Sequence, residues 1–269
     1  MPGASLWISR IVAIAPPISA DSPWLSHAAT ILDIHQEAPG IATYEMALDE
    51  TQFADDYSFR PGQFNMLYLP GYGESAISIS SDPEFPKILA HTVRVTGNVT
   101  RALSRKKVGE VIGVRGPFGS VWPLKSCVGK DVVIASGGIG LAPMRPLILS
   151  IIKQRHSFGR VLLLYGARRP DDLLYRDEYD AWRAAGIEVD VTVDIGDSKW
   201  NGHIGVVPAL FYRLHLNASS TCVMTCGPEI MMRFVVFEAL ARKVEAANIY
   251  LSLERRMSCA IGLCGHCQL

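Results

Sequence analysis

The sequence predicts two domains of different class, an antiparallel Greek-key β barrel followed by a doubly wound α/β parallel sheet, with a short cysteine-bearing loop after them. Three observations carry this. Up to about residue 125, short alternating runs are separated by Pro-Gly and Gly-Pro pairs; after Cys127, apolar strands alternate with helical segments; and three of the six cysteines crowd into the last eleven positions. A length of 269 residues suits about two domains whose cores need no disulfide. The expected organisation is an arm over 1–26, the barrel over 27–125, the α/β domain over 126–250 and the loop over 251–269.

The arm carries four prolines before residue 25 and no sustained period. From Thr30 the alternation begins. Tyr44, Met46 and Leu48 alternate with Glu45, Ala47 and Asp49, and Gln63 to Leu69, His91 to Val95 and Val111 to Val114 follow as further strands. Pro39-Gly40, Pro61-Gly62, Pro70-Gly71 and Gly116-Pro117 supply the turns, which at this spacing describe an antiparallel barrel of about 100 residues. Val132 to Ala135 and Val161 to Tyr165 are runs of the kind buried on both faces of a parallel sheet. Pro146 to Gln154 reads as the helix between them, with Leu147, Ile148, Ile151 and Ile152 on one side. Asp171 and Asp172 can cap a further helix that Gly186 ends. Ile187 to Val193 and Thr221 to Thr225 are the next strands, Phe234, Phe237, Ala241 and Val244 mark one face of a long helix, and Ile249 to Leu253 is the last strand.

Composition removes several function classes. Lys plus Arg and Asp plus Glu number 26 each, so no charge excess draws the chain to nucleic acid or to an anionic membrane. The apolar stretch Ile11 to Ala15 is cut by Pro16-Pro17, and Val132 to Ile152 is broken by glycines, prolines and Arg145; neither is a membrane span. The expectation is a soluble cytoplasmic protein.

Chemistry concentrates in three places. Gly137-Gly138-Ile139-Gly140-Leu141-Ala142-Pro143 follows the first parallel strand and leads into a helix. Glycines there allow close backbone approach, and the free amides and dipole of a helix start suit a pyrophosphate. The same turn also serves plain tight packing. Thr225-Cys226-Gly227-Pro228 ends the fourth parallel strand on the carboxyl edge where such sheets bind ligands. Cys226 there is either a small neighbour to a flat nicotinamide ring or a core cysteine. Finally, Cys259-x4-Cys264-x2-Cys267 has the spacing of the first three ligands of a plant-type [2Fe-2S] centre. Structural zinc is the alternative. His266 reads as a neighbour of the ligands. The fourth cysteine is expected in about the next 10 to 20 residues of a longer chain.

The barrel, the Gly-x-Gly-x-x-Pro turn and the Cys-Gly-Pro strand end, in this order, resemble the ferredoxin-NADP reductase superfamily. Within it the chain is similar to flavin-bearing subunits with a C-terminal iron-sulfur loop: the gamma (diaphorase) subunits of cytoplasmic NAD(P)-linked [NiFe] hydrogenases and sulfhydrogenases, the B subunit of anaerobic sulfite reductase, and more distantly the electron-transfer subunit of dihydroorotate dehydrogenase. Gly73 to Ser81, Gly137 to Pro146 and Ser252 to Cys267 carry the likeness, which covers about residues 27 to 269. The resemblance implies a flavin in the barrel, FAD in preference to FMN. Ser75, Ala76, Ile77 and Ser78 would occupy the family's ring-binding motif, with Ser78 and Ile79 near the isoalloxazine. Thr92, Val93 and Arg94 would line the cofactor's middle, and Val99 and Thr100 after Gly97 would offer an amide and a hydroxyl to its phosphates. Ser75 stands where many relatives have a phosphate-binding arginine, and Ile77 where many have a ring-stacking tyrosine. From the residues alone, Gly97 to Thr100 is a turn with a helix cap.

NADP or NAD would lie along Gly137, Gly138, Gly140 and Pro143, with Cys226, Gly227 and Pro228 against its ring. Arg168 and Arg169, after the second parallel strand, are placed for a 2′-phosphate, which favours NADP, or are surface charges facing Asp171, Asp172 and Asp177. Cys259, Cys264 and Cys267 would hold the [2Fe-2S] cluster. The implied function is hydride exchange between NAD(P)(H) and flavin and single-electron exchange between flavin and cluster, with the iron-sulfur and catalytic subunits of a [NiFe] hydrogenase as partners. The alternatives are an anaerobic sulfite reductase subunit, a free-standing flavin and iron-sulfur reductase, and a scaffold subunit without flavin.

Overall fold

A computed structural model describes residues 22–49, 51–253 and 257–267; most of the arm and the Glu254-Arg255-Arg256 lead-in to the cysteines lie outside the described residues. The first sheet is built from β1 (His27–Ala38), β2 (Ile41–Leu48), β3 (Phe64–Leu69), β4 (Gly73–Ser78), β5 (Leu89–Arg94) and β6 (Val111–Phe118), with short helices α1 (Thr51–Asp56) and α2 (Asn98–Leu103) between strands. All its pairs are antiparallel, in the order β4-β3-β6-β1-β2-β5. Just beyond the end of edge strand β4, the Ser80 amide donates to the carbonyl of Ala90 in the other edge strand, β5, at 2.8 Å, which draws the sheet toward a barrel. Alternation puts Ile31, Met46, Leu67, Leu89 and Val114 inside, all essentially inaccessible. Full burial of each contributes about 2 kcal/mol.

The second sheet comprises β7 (Asp131–Gly137), β8 (Val161–Ala167), β9 (Glu188–Val193), β10 (His203–Ile204), β11 (Thr221–Cys226) and β12 (Ile249–Ser252), all parallel, in the order β10-β9-β8-β7-β11-β12. Helices α3 (Leu141–Lys153), α4 (Tyr179–Ala184), α5 (Val207–Leu210) and α6 (Glu229–Ala241) connect and cover it. Its central strands are buried on both faces. Val132 and Ile134 of β7 join one core, which includes Ala38, Ile41 and Trp122 from the barrel half, while Val133 and Ala135 join the core on the opposite face. Strand order reverses between β7 and β11, and their carboxyl ends, Gly137 and Cys226, sit side by side.

Several expectations change in detail. Strands β1 and β4 were not marked by the turn pattern. Helix α3 starts at Leu141 rather than at Pro146, because the first-turn amides need no partner and a proline in the second turn costs one hydrogen bond. The helix expected from Asp171 to Gly186 is two single turns and the short α4, since Tyr175 takes a left-handed φ of 53° and interrupts it. Phe234 and Phe237 are 53% and 66% exposed, and α6 instead buries Met231, Met232, Val235 and Ala239. Apolar residues lie on both faces of that helix, so their period alone does not select the inner one.

Candidate functional site

A cavity of 730 Å³ opens between the barrel and the carboxyl edge of the second sheet. Its barrel wall is the outer end of β4 (Ser75, Ala76, Ile77, Ser78), the end of β5 (Thr92, Val93, Arg94) and Thr100 of α2. Pro143 at the start of α3 and the segment Ile249–Leu253 face them. A second cavity of 370 Å³ lies at the switch point, lined by Arg94, Gly137, Gly138, Gly227, Pro228 and Met232 among others. Ligands of open α/β sheets bind at this position.

The β4 wall is fixed from behind by a buried relay. Tyr57 Oη donates to Asn65 Oδ1 at 2.8 Å, and Asn65 Nδ2 lies 3.2 Å from His91 Nε2. That bond makes Nε2 the acceptor, so the proton sits on His91 Nδ1 and is donated to the Ser78 carbonyl at 2.9 Å. His91 is fully buried, and burial lowers its pKa to about 4.

The two halves are pinned beside the cavity by Tyr175. Its hydroxyl lies 2.5 Å from Thr92 Oγ1, which also contacts Thr43 Oγ1 at 2.8 Å and Ser80 Oγ at 3.0 Å. Burial pushes the Tyr175 phenol pKa up, so it remains a neutral donor. Arg145 lies over its ring at 5.2 Å, donates to the Ser80 carbonyl at 2.6 Å and pairs with Glu178 at 2.8 Å.

The glycine turn divides its duties. A Cβ on Gly140 would stand 2.4 Å from the Cys226 carbonyl, and one on Gly137 2.6 Å from Met231 Sδ. These two glycines allow close packing, and Gly140 lines neither cavity. Gly138, at φ 55°, faces Arg94 across the second cavity. Cys226 is 1% exposed and belongs to the core on one face of the sheet, whereas Gly227 and Pro228 line the cavity. Ile79, also 1% exposed, and Val99 pack into the barrel core rather than along the cavity. Thr100 reaches the cavity wall, but its hydroxyl accepts from the Thr96 and Gly97 amides, each at 2.9 Å, and donates to the Gly97 carbonyl at 3.2 Å. The helix-cap reading describes that hydroxyl. Arg168 and Arg169 are exposed and form no ion pair with Asp171, Asp172 or Asp177 among the described residues.

Sequence reasoning missed Trp122 and Phe64. Trp122 lines the large cavity, and its indole N–H is buried with no hydrogen-bond partner among the described residues. The Gly116-Pro117 pair, which the structure places within the end of β6 rather than in a turn, was the available signal.

In the C-terminal loop, Cys259 is buried and Cys264 and Cys267 are exposed. The Cys264 amide donates to Cys259 Sγ at 3.5 Å. That bond first, with the Cys264 thiol and the Ile261 and Leu263 amides, lowers the Cys259 pKa to about 6. Left-handed Ala260, Gly262 and Gly265 curl the backbone there. The donor chemistry suits a thiolate-bound metal, although no three potential ligands come together as a metal-holding group among the described residues.

An open parallel sheet with its cavity at the switch point, docked on an antiparallel barrel, defines an NAD-binding reductase fold. A model of the oxidoreductase NAD-binding domain matches residues 134–236. The chain belongs to the ferredoxin-NADP reductase superfamily, and its relatives are oxidoreductase subunits of multisubunit complexes. It is 32% identical to the sulfhydrogenase 1 gamma subunit of Pyrococcus furiosus over 254 residues, 93% of this chain and 86% of that one. It is 35% identical to a probable dihydroorotate dehydrogenase B (NAD(+)) electron-transfer subunit of Methanocella arvoryzae over 239 residues, 89% and 83% of the two chains. A solved ferredoxin-NADP+ reductase from Neisseria gonorrhoeae, with bound FAD and NADP, shares the fold at a TM-score of 0.71 and 20% identity, covering 85% of this chain and 99% of its own. No helix among the described residues is long and apolar enough to cross a membrane.

Proposed function

We propose that this chain is the flavin subunit of a hydrogenase-type complex. It would exchange hydride between NAD(P)(H) and FAD, and single electrons between the flavin and a [2Fe-2S] cluster. The observation that carries the reading is the pair of adjoining cavities, one against the barrel and one at the switch point, which share Arg94, Ile139 and Leu253. When bound, the flavin supplies the change from two-electron to one-electron chemistry and the cluster accepts or returns single electrons.

The protein's part is position and electrostatics. Ser75 to Ser78, Thr92 and Val93 form the barrel wall for the flavin, and Trp122 lines the same cavity. Gly138, Gly227 and Pro228 leave a flat, open floor for the nicotinamide half, and Arg94 supplies positive charge between the two cavities. Cys226 lies beneath that floor as a packing residue. Arg168 and Arg169, exposed and without carboxylate partners among the described residues, favour NADP through a 2′-phosphate. Cys259, Cys264 and Cys267, with one further ligand, would hold the cluster; the amides around Cys259 Sγ support this reading.

The likeness to the sulfhydrogenase gamma subunit over 93% of this chain supports a hydrogenase partner. The 35% identity to the dihydroorotate dehydrogenase B subunit supports a second reading, the electron-transfer subunit of a dihydroorotate-oxidising complex. Purification of the complex from its host separates them: hydrogen-dependent reduction of NADP is expected, and dihydroorotate-dependent reduction of NAD would select the second reading. A purified full chain that retains no flavin, and oxidises neither NADH nor NADPH after FAD is supplied, refutes both.

A further inference from the structure

Arg115, on β6, is a charged side chain only 4% exposed and far from the glycine turn. Its guanidinium binds in three directions. Nε and Nη2 form a two-pronged bridge to the Glu74 carboxylate on β4, at 2.8 and 2.5 Å. Nη1 donates to the Cys259 carbonyl at 3.0 Å and to the Pro23 carbonyl at 3.2 Å, and Nη2 also reaches the Ser258 carbonyl at 3.4 Å. The group lies 5.3 Å from the centre of the Phe118 ring. Glu74 immediately precedes Ser75, where the cavity wall begins.

A buried guanidinium is costly unless its donors are satisfied. Here they are satisfied by one carboxylate from the barrel and by main-chain oxygens from both ends of the chain. Planar fork geometry permits that combination, and a lysine ammonium cannot reproduce it. We propose that Arg115 is the positioning residue of the cysteine loop, fastening the backbone at Ser258 and Cys259 to the strand that forms the flavin wall. The loop's first cysteine thereby keeps a fixed place relative to the large cavity, and a positive charge stands beside it. The inference rests on the flavin and iron-sulfur reading for its functional meaning, while the latch itself is a property of this chain.

The test compares the full-length protein with Arg115→Gln and Arg115→Lys, using flavin content as the control for folding. In iron-free protein, alkylation of Cys259 is followed by peptide mass mapping, with exposed Cys264 as the internal reference. Loss of a charged hydrogen-bond set is expected to raise the Cys259 rate relative to Cys264 about tenfold or more in Arg115→Gln. In iron-loaded protein, an electron-paramagnetic-resonance redox titration is expected to show the cluster harder to reduce in Arg115→Gln, with the potential largely recovered in Arg115→Lys, which keeps the charge. Should Arg115→Gln lose its flavin, Glu74→Gln carries the test, because it frees the guanidinium from β4; a smaller rise in Cys259 alkylation is then expected. Unchanged Cys259 alkylation in a variant that keeps its flavin overturns the inference, as does a cluster potential equal to that of the parent. A parent protein that binds no iron defeats the cluster reading while the alkylation comparison still decides the latch.

Discussion

His91 predicts how the flavin wall responds to acid. In the fold it is buried and neutral, with its pKa lowered from 6.5 to about 4, chiefly by burial. A second ring proton would face the Asn65 amide donor. The unfolded chain takes up that proton near pH 6.5, so the contribution of His91 is intact above 6.5 and is lost as pH falls toward the folded value. Each pH unit in that window costs about 1.4 kcal/mol, and the whole interval about 3 kcal/mol. Below about pH 4 the loss levels off. Burial raises the Glu178 pKa, and that of Cys259 is lowered to about 6, so the informative quantity is the difference between the parent and His91→Gln, which retains an N–H donor but has no titrating ring. Urea unfolding between pH 7.5 and 4 would measure it, with flavin fluorescence read in parallel because the ring holds the Ser78 carbonyl. The parent should lose about 3 kcal/mol more than the variant across the interval, releasing flavin as it does so. Parallel stability curves for the two proteins would refute the assignment of His91 as a neutral, buried support.

Three further outcomes are expected. Gly140→Ala places a Cβ 2.4 Å from the Cys226 carbonyl, which cannot retreat without moving β11; a loss of about 1–3 kcal/mol in unfolding free energy and weaker nicotinamide binding should follow, and an unchanged urea midpoint would contradict the packing role. Tyr175→Phe removes one bond from Thr92, which keeps Thr43 and Ser80 as partners, so the cost should be about 1 kcal/mol in thermal unfolding; a cost several times larger would show that the network does not share its load. Arg94→Leu removes the one cation that, among the described residues, lines both cavities and should weaken dinucleotide binding about tenfold to a hundredfold in a fluorescence titration, an expectation that parental affinity would overturn.

The order of elements was legible because the two halves use different grammars. Val132 to Ala135 and Val161 to Tyr165 are buried on both faces and read as unbroken apolar runs. Strand β4 was not legible as a strand, since Gly73-Glu74-Ser75-Ala76-Ile77-Ser78 turns polar and small residues toward a cavity and so lacks apolar alternation. Ser75 to Ser78, Thr92 to Arg94, Gly138, Gly227 and Pro228 were singled out through the likeness to a family and the strand-end position of the motifs, and they line the two cavities. Trp122, the Tyr57–Asn65–His91 relay and the Arg115 latch were not found, because each depends on residues far apart in the chain that only the closed barrel brings together. Of the two readings of Thr100, the structure follows the local one, because a hydroxyl three residues after a helix cap satisfies the turn's own amides first.

Arg94, Ile139 and Leu253 are party walls, each facing both cavities. Among the described residues, these three side chains are the direct physical route by which occupancy of one chamber could bear on the other. Thermodynamic reciprocity then requires that whatever a bound dinucleotide does to flavin affinity, the flavin does in equal measure to the dinucleotide. On the proposed function, the two sites are to be assayed together, each ligand's affinity being measured with and without the other.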